Sequence, residues 1–449
     1  MTISNAMLSN TLPRLPERGI AGDDVLAELQ GLKASGDPER AFRFAGCSYK
    51  VNEEVQRVAR AAYNEYLNLN AMYSPVISAL GKIEDDLLGW IVDIFNGGSE
   101  GRANLTCGGS DSIFCAMHAM REWAREAHPE VKQPTFLVPY SAHPAFSRAA
   151  HYLGLKIVRI PLREDYRIDL AAMAEAIGPD VIGLVGSAPS LPYGRYDHLE
   201  EMSDLAIKHK LWLHADACMG GFLAPFARLA GYPVPEFDFS LPGVTSLSAD
   251  IHKYGHTPKG ISTVVWRSEE YQKFHYAMVS DWPMGPYFSQ SLVGSRAAGP
   301  VAAAWAVMKH LGLEGKVAYA RRTMEIKAQL TEALTDLGFD VRETDLVPLV
   351  IGSPRHDIQE ILMAMGERGW KFIGVQEPPS FIIIPDSVPE DLLEELLSDF
   401  REVMTSMDEG ASYDKAPLFY TFVEASPELL ESLPLWVQRA ISIMKDVTT

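Results

Sequence analysis

The sequence predicts an α/β protein with a large domain built on a mostly parallel sheet, followed by a smaller C-terminal α+β domain. From about residue 134, short β-rich runs alternate with helical stretches, which is the pattern of βαβ units and a sheet covered on both faces. The 449 residues are enough for two domains that share an interface. After about residue 310, Ala-rich and charged helical sequence replaces the alternation, and this change predicts the second domain.

The strands of the large domain are predicted where β-branched and aromatic residues cluster. These runs are 135–139, 156–160, 181–185, 211–214 and 244–247. Between the third and fourth runs, Leu199, Met202 and Ala206 recur at helical spacing and predict a helix over 198–209. The alternation therefore predicts helices that cover a parallel sheet.

The smaller domain is predicted from helical and strand patterns in the last third of the chain. Its segments are a helix over 300–337, a strand at 346–351, a helix carrying Ile358 to Met365, a strand at 381–384 and a helix carrying Leu392 to Phe400. We divide the chain into an N-terminal arm (1–60), a large domain (61–312) and a small domain (313–449).

Composition excludes several classes of protein. Forty basic and 59 acidic side chains give a net charge of −19, which repels nucleic acid and anionic lipid, so an anionic substrate needs a local cationic pocket. We expect no transmembrane anchor, because no apolar run approaches the roughly 20 residues that a bilayer needs. The first 14 residues lack the pattern of a signal peptide. We therefore expect a soluble, cytoplasmic protein.

The cysteines and histidines do not indicate a metal site. The four cysteines contain no CxxC pair, and they are Cys47, Cys107, Cys115 and Cys218. His252 and His256 have an HxxxH spacing, but a glycine between them argues against one continuous helix face. We predict no metal, and we interpret Cys218 as a packing residue rather than a nucleophile.

Two polar residues follow apolar strand-like runs. Asp216 ends the run that begins at 211, where a carboxylate is costly to bury without a partner, and Lys253 comes shortly after 244–247. Open α/β sheets bind ligands at the carboxyl ends of their strands. The pair suits pyridoxal 5'-phosphate (PLP), with the lysine forming a Schiff base and the aspartate keeping the pyridine nitrogen protonated. Taken alone, Lys253 also fits a solvated surface lysine.

Two further segments add to this pattern. Thr106-Cys-Gly-Gly-Ser-Asp-Ser112 precedes a helix, and backbone N–H groups at a helix N-terminus suit a phosphate, although such a segment also serves as a simple cap. His143 follows the run 135–139 and fits either a helix-entry residue or an aromatic plate for a planar cofactor. Phosphate cradle, aromatic plate, aspartate and lysine in this order favour a PLP site.

The sequence resembles the group II PLP-dependent decarboxylase superfamily and, within it, the sphingosine-1-phosphate lyases. The most telling stretches are Leu213-His-Ala-Asp-Ala-Cys-Met-Gly-Gly-Phe-Leu223 and Gly243-Val-Thr-Ser-Leu-Ser-Ala-Asp-Ile-His-Lys-Tyr-Gly-His-Thr-Pro-Lys-Gly260. The resemblance covers nearly the whole chain. It implies fold type I, the fold of aspartate aminotransferase, and a homodimer with shared active sites.

The resemblance also implies a role for each matching residue. Lys253 is the Schiff-base lysine, Asp216 the pyridinium partner and His143 the residue stacked on the ring. The remaining cofactor positions are Gly109, Ser110, His252, Gly294 and Ser295, and the substrate positions are Asn70, Tyr73, Lys259 and Arg296. Lys259 matches a lysine suited to a substrate phosphate, and residues 294–296 match a segment that reaches towards the neighbouring subunit's site.

The sequence departs from the lyase pattern near the substrate. Ala188-Pro-Ser190 stands where the family has Thr-Pro-Gln, Tyr73 replaces a histidine, and Ala297-Ala-Gly299 replaces Pro-Gly-Gly. The cofactor positions are kept. These changes leave the identity of the substrate more open than that of the cofactor.

The resemblance implies retro-aldol cleavage of a phosphorylated long-chain base to a fatty aldehyde and phosphoethanolamine. Lys253, Tyr73 and His143 are the candidate proton-transfer groups. The alternatives are L-amino-acid decarboxylation and another PLP reaction on a β-hydroxy amine or acid. A non-catalytic scaffold is disfavoured because both the lysine and the aspartate are present.

Overall fold

The computed structural model describes residues 15–35, 43, 45–46, 49 and 51–415. Its main sheet has seven strands, in the order β1-β7-β6-β5-β4-β2-β3. They are β1 (Arg102–Thr106), β2 (Thr135–Pro139), β3 (Lys156–Ile160), β4 (Val181–Ser187), β5 (Trp212–Asp216), β6 (Val244–Ala249) and β7 (Ser262–Trp266). Neighbours from β6 to β3 are parallel, and β7 alone runs against the others.

Helices cover this sheet, and its central strands are buried along their whole length. The helices of the described residues are α1 (Gly22–Ser35), α2 (Glu53–Glu65), α3 (Ser78–Ile94), α4 (Gly109–Ala127), α5 (Ala145–Leu153), α6 (Leu170–Ala176), α7 (Leu199–His209), α8 (Ala224–Leu229), α9 (Glu269–Gln272), α10 (Gly299–Asp336), α11 (Ile358–Glu367) and α12 (Leu393–Asp408). None of them is long and apolar enough to cross a membrane.

Two smaller sheets complete the fold. A hairpin is formed by β8 (Ala277–Val279) and β9 (Tyr287–Ser289). The C-terminal part has an antiparallel sheet in the order β10-β11-β13-β12. Its strands are β10 (Asp340–Arg342), β11 (Leu349–Gly352), β12 (Ile373–Val375) and β13 (Ser380–Ile383). Helices α11 and α12 pack on this sheet around a separate apolar core that includes Phe381 and Phe400.

Helix α10 joins the two parts of the molecule. Its helical geometry is interrupted at Gly312, where φ is 57°. The second half of the helix places Ile326, Leu330 and Leu334 in the core of the C-terminal part. Both α2 and α10 extend across the boundaries that we predicted at 60/61 and 312/313, and the division into domains stays a prediction.

The α/β fold with a mostly parallel sheet is confirmed, and every strand and helix that we predicted is present; the strands at 135–139 and 156–160 have the predicted ends, and the ends of the other elements are shifted. The strand predicted over 346–351 begins only at Leu349, after Pro348, which has no N–H to donate to a ladder. Strands β1, β7, β10 and β12 and the hairpin were not predicted. Residues 1–14 of the predicted N-terminal arm, the part of the predicted small domain after residue 415, and Cys47 lie outside the described residues.

Candidate active site

The carboxyl ends of the parallel strands meet at one edge of the main sheet. Asp216 is the last residue of β5, and the segments that follow β1, β2 and β6 carry the phosphate-cradle residues, His143 and Lys253 respectively. Ligands bind at this edge in open α/β sheets, because successive loops converge there. The fold therefore gathers the residues that the sequence singled out.

Lys253 lies in a tight turn after β6, beside a carboxylate that we had not assigned a role. Its Nζ is 2.9 Å from Oδ2 of Asp250. Asp250 is buried and accepts a hydrogen bond from Oγ of Ser262 at 2.6 Å. Burial acts to raise the pKa of Asp250, but the positive charges of Lys253 and His252 outweigh it, so the pKa lies below its ordinary value. Asp250 therefore faces Lys253 as a carboxylate.

The turn that carries Lys253 depends on a glycine. A Cβ at Gly255 would approach the carbonyl oxygen of Ile251 to 2.0 Å. Behind the turn, Nζ of the buried Lys316 donates to the carbonyl oxygens of Tyr254 at 3.0 Å and Gly255 at 2.8 Å. The second half of α10 thus holds the backbone directly after Lys253.

Asp216 is oriented through one of its two oxygens. Oδ1 accepts hydrogen bonds from the backbone N–H of Cys218 at 3.1 Å and from Oγ of Ser248 at 3.2 Å. Among the described residues, no hydrogen bond reaches Oδ2 of Asp216. The carboxylate therefore keeps an acceptor for a protonated ring nitrogen.

The N-terminus of α4 carries the residues of the predicted phosphate cradle. A Cβ at Gly109 would come within 2.7 Å of Oδ1 of Asp250 and 3.0 Å of Sγ of Cys218, so this position has room only for hydrogen. A Cβ at Gly108 would have no neighbour closer than Cε1 of His252, at 3.8 Å. Burial lowers the pKa of His252, despite the opposing charge of Asp250. Ser110 lines a cavity of about 240 Å³ beside this helix end.

His143 lies just before α5, where its Nδ1 accepts a hydrogen bond from the backbone N–H of Ala145 at 3.2 Å. Burial lowers the pKa of His143, and the charges of Asp216, Lys253 and Asp250 act on it as well. His143 follows β2 at the same edge of the sheet as these three groups. A neutral imidazole at this position suits a ring that packs on a planar cofactor.

The predicted residues at 70 and 294–296 form a second group. Asn70 donates from Nδ2 to Oγ of Ser295 at 3.0 Å, and its Oδ1 accepts from the N–H of Arg296 at 3.1 Å. A Cβ at Gly294 would meet the hydroxyl of Tyr287 at 3.0 Å. Tyr73, in the short 3-10 helix that follows Asn70, is half exposed.

Arg296 has internal partners. Its guanidinium donates to the carbonyl oxygen of Leu105 at 2.9 Å and pairs with Glu84 at 3.3 Å, and both charged side chains are buried. These contacts argue against a direct contact between Arg296 and the substrate in a single chain. They favour a role in holding the 294–296 segment against the end of β1.

Lys259 lies beside the turn of Lys253. Its Nζ is 3.4 Å from the carbonyl oxygen of His252 and 4.9 Å from the ring centroid of Tyr49. Sequence reasoning missed Asp250 and Lys316. The motif contains Asp250 three residues before Lys253, a spacing that places charges together in a turn, whereas Lys316 lies 63 positions away and gives no local signal.

The described residues fit PLP. A glycine leaves space at a helix N-terminus, a lysine stands at the sheet edge, and an aspartate keeps one oxygen available for the ring nitrogen. This donor set matches the phosphate, aldehyde and pyridine groups of that cofactor.

Comparisons with known proteins agree with this fit. Residues 62–351 match the model of the pyridoxal-dependent decarboxylase conserved domain. The chain is 35% identical to sphingosine-1-phosphate lyase 1 of Rattus norvegicus over 398 residues, which cover 88% of this chain and 70% of the rat protein. It is 31% identical to a probable L-tyrosine/L-aspartate decarboxylase of Methanothermobacter thermautotrophicus, over 77% of this chain and 94% of that protein.

A solved structure supports the same relationship. The sphingosine-1-phosphate lyase of Burkholderia pseudomallei superposes with a TM-score of 0.84 at 32% identity, covering 90% of this chain and 95% of that one. The fold is therefore that of fold-type-I PLP-dependent enzymes, and PLP is the cofactor. The chain belongs to the pyridoxal-dependent decarboxylase family, in its sphingosine-1-phosphate lyase branch.

Proposed function

We propose that this enzyme cleaves a phosphorylated long-chain base by a retro-aldol reaction, giving a fatty aldehyde and phosphoethanolamine. The observation that carries the proposal is the convergence of Lys253, Asp216 and His143 at one sheet edge, in a chain whose lyase relatives match it over most of its length. PLP supplies an electron-accepting ring that stabilises negative charge at the substrate's Cα.

The residues of the chain divide the remaining work. Lys253 attaches the cofactor and then has an amine available for proton transfer, with the Asp250 carboxylate 2.9 Å away to accept or stabilise the proton. With the cofactor bound, Asp216 would keep the ring nitrogen protonated through its Oδ2, and His143 would pack on the ring. A base takes the proton of the β-hydroxyl as the Cα–Cβ bond breaks, and a proton then returns to Cα. Lys253, His143 and Tyr73 are the candidates for these transfers.

Substrate recognition requires a group that grips the phosphate. We assign this role to Lys259, whose ammonium lies next to the Lys253 turn, and Asn70 and Tyr73 of the second group are the further candidates. Arg296 acts by holding residues 294–296, because its guanidinium already has internal partners. The substrate phosphate thus meets local positive charge on a chain of net charge −19.

Amino-acid decarboxylation is the second candidate. The decarboxylase relative from Methanothermobacter thermautotrophicus favours it, as does Ala188, which lacks the hydroxyl found in the lyase pattern and lies directly after β4. A decarboxylase needs a side chain that binds the substrate carboxylate, and it orients this carboxylate for loss as CO2. The bond held perpendicular to the ring decides between the two reactions.

We also propose a cytoplasmic homodimer with shared active sites. The hairpin of β8 and β9 and the segment after it expose apolar side chains, with Met278 76%, Met284 80% and Leu292 56% exposed. This surface runs directly into Gly294 and Ser295. Burying such a patch against a second copy would remove it from water and bring residues 294–296 to a neighbouring site. The three described cysteines are free thiols, in keeping with a reducing compartment.

Mass spectrometry of the products tests the reaction. The PLP-loaded enzyme is incubated with a sphingoid-base phosphate, and we expect a long-chain aldehyde together with phosphoethanolamine in equal amounts. Lys253→Ala is the control and should give neither product. An untouched lipid, combined with CO2 release from an amino acid, would contradict the lyase assignment in favour of decarboxylation.

A further inference from the structure

A buried chain of hydrogen bonds runs along β5 and β6 and ends on Asp216. Parallel pairing sets His214 beside Ser246 and Asp216 beside Ser248. Because side chains alternate along a strand, residues 212, 214 and 216 share one face with 246 and 248. The side chains involved are buried, including the indole of Trp212.

Four contacts link these side chains. Trp212 Nε1 donates to Oγ of Ser246 at 2.8 Å, and that oxygen lies 2.8 Å from Nδ1 of His214. On the other side of the ring, Nε2 of His214 is 3.2 Å from Oγ of Ser248. Ser248 then donates to Oδ1 of Asp216 at 3.2 Å.

The two ends of the chain fix its direction. An indole N–H can only donate and a carboxylate can only accept, while each serine has one proton to give. Ser248 uses its proton on Asp216, so Nε2 of His214 must be the donor to Ser248. Nδ1 is then the acceptor, and it receives the proton of Ser246, whose oxygen already accepts from Trp212.

We propose that this one-directional chain positions Asp216 and sets the strength of its interaction with the cofactor's ring nitrogen, which makes Trp212, Ser246, His214 and Ser248 positioning residues of the cofactor site. In this arrangement of hydrogen bonds, His214 is neutral and carries its proton on Nε2. Burial lowers the pKa of His214 to about 4, so the ring stays neutral at ordinary pH. Each serine is thereby held with its proton directed towards the aspartate end.

The chain acts on one oxygen and leaves the other for the cofactor. Oδ1 of Asp216 receives Ser248 and the N–H of Cys218, which fixes the plane of the carboxylate and directs Oδ2 outward. Donors on Oδ1 also withdraw charge from the carboxylate. The chain therefore controls the direction of the carboxylate oxygen that faces the pyridine nitrogen and the strength of its hydrogen bond.

The test compares two cofactors on the same apoprotein. One is PLP, and the other is its carbocyclic analogue, in which C–H replaces the ring nitrogen. The ratio of their dissociation constants isolates the contact between Asp216 and the nitrogen, because the phosphate and aldehyde are common to both. We expect Ser248→Ala to reduce the preference for PLP about tenfold, and Ser246→Ala and Trp212→Phe to reduce it about threefold.

Trp266→Phe is the matched control. Trp266 is also fully buried in this sheet and packs edge-on against Trp212, with ring centroids 6.2 Å apart, but its Nε1 donates to Oδ1 of Asn104 at 2.8 Å and not to a member of the chain. Its substitution should leave the ratio within about twofold of the parent value. An unchanged ratio in Ser248→Ala, or an equal loss in Trp266→Phe and Trp212→Phe, would overturn the proposal.

A second measurement does not depend on variants that fold poorly. Nitrogen-15 NMR of the apoprotein reports which ring nitrogen of His214 carries the proton, and we expect Nε2. A proton on Nδ1 would reverse the direction of the chain and overturn the inference. Both measurements concern cofactor binding, so they stand apart from whether the substrate loses an aldehyde or CO2.

Discussion

Nζ of Lys253 lies 2.9 Å from Oδ2 of Asp250, and the carboxylate of this pair is almost completely buried. The lysine that we propose as the Schiff-base residue is thus paired with a buried carboxylate in the apoprotein. The pair connects the stability of the apoprotein to the residue that carries the chemistry.

Asp250→Asn should destabilise the apoprotein by about 1–3 kcal/mol at pH 7, because Lys253 loses its buried partner. The lowered pKa of Asp250 means that its contribution is complete above the unfolded pKa and is lost as pH falls through the folded value. The free energy of unfolding, measured with urea between pH 7 and pH 3, should therefore fall less steeply with decreasing pH in the variant than in the parent. In the Lys253→Ala background, Asp250→Asn should cost less free energy of unfolding at pH 7 than it does in the parent. An equal cost in both backgrounds would contradict the pairing.

Lys316→Met removes the donor to the carbonyl oxygens of Tyr254 and Gly255. Burial lowers the pKa of Lys316 to about 7, so between pH 7 and about 10 the unfolded chain holds a proton that the folded chain has released. The stability of the parent should rise with pH over this interval, and that rise should be much smaller in Lys316→Met. Formation of the lysine–PLP absorbance band should also slow, because the turn of Lys253 loses its support.

Lys327→Met is the control for this effect. Lys327 lies on the same helix and donates to the carbonyl oxygen of Thr344 at 2.9 Å, and burial lowers its pKa to about 8. Its replacement should alter the pH dependence of stability without slowing the reaction with PLP. Equal slowing in both variants would indicate a general weakening of α10.

Gly108→Ala and Gly109→Ala distinguish an effect on PLP binding from an effect on the stability of the apoprotein. A Cβ at Gly109 would clash with Asp250 and Cys218, so this variant should lower both the melting temperature of the apoprotein and PLP affinity. A Cβ at Gly108 meets only His252 at ordinary contact distance, so the apoprotein should keep its stability. Its PLP affinity should fall about tenfold or more, because the added methyl group would take up space between Gly108 and His252 that a cofactor phosphate beside His252 needs. Titration of both apoproteins with PLP measures these affinities. A normal affinity in Gly108→Ala would show that the phosphate binds elsewhere.

Lys259→Ala should raise KM for phosphorylated substrates about tenfold while bound PLP stays unchanged, because an exposed charge contact to one phosphate is lost. Steady-state kinetics and cofactor absorbance measure the two effects separately. Lys259→Arg keeps the charge and should remain near the parent. A parallel loss of PLP would show that Lys259 serves the cofactor instead.

The buried parallel strands could be predicted because their apolar runs are continuous and their connecting helices are amphipathic. β1 lacked that signal, since Arg102 and Asn104 interrupt it. Oδ1 of Asn104 accepts hydrogen bonds from Nε1 of Trp266 at 2.8 Å and from Nε2 of Gln272 at 2.9 Å, and both donors lie more than 160 positions away in the sequence. No local pattern reports such a contact.

The site shows the same limit. Lys253, Asp216 and His143 could be found because each follows a recognisable strand. The importance of Asp250 depends on its burial, which a charged residue in a loop does not reveal. Lys316 is a lysine in a long charged helix, and only the packing of α10 against the Lys253 turn distinguishes it from its solvated neighbours.

The interruption of α10 at Gly312 has a mechanical consequence. In the half of the helix beyond Gly312, Leu330 and Leu334 pack in the C-terminal core, and Lys316 donates hydrogen bonds to the backbone of the Lys253 turn. Any rotation of the C-terminal part about Gly312 would pull on the backbone that carries the reactive amine. The position of the C-terminal part and the geometry of the Lys253 turn are therefore coupled through one helix.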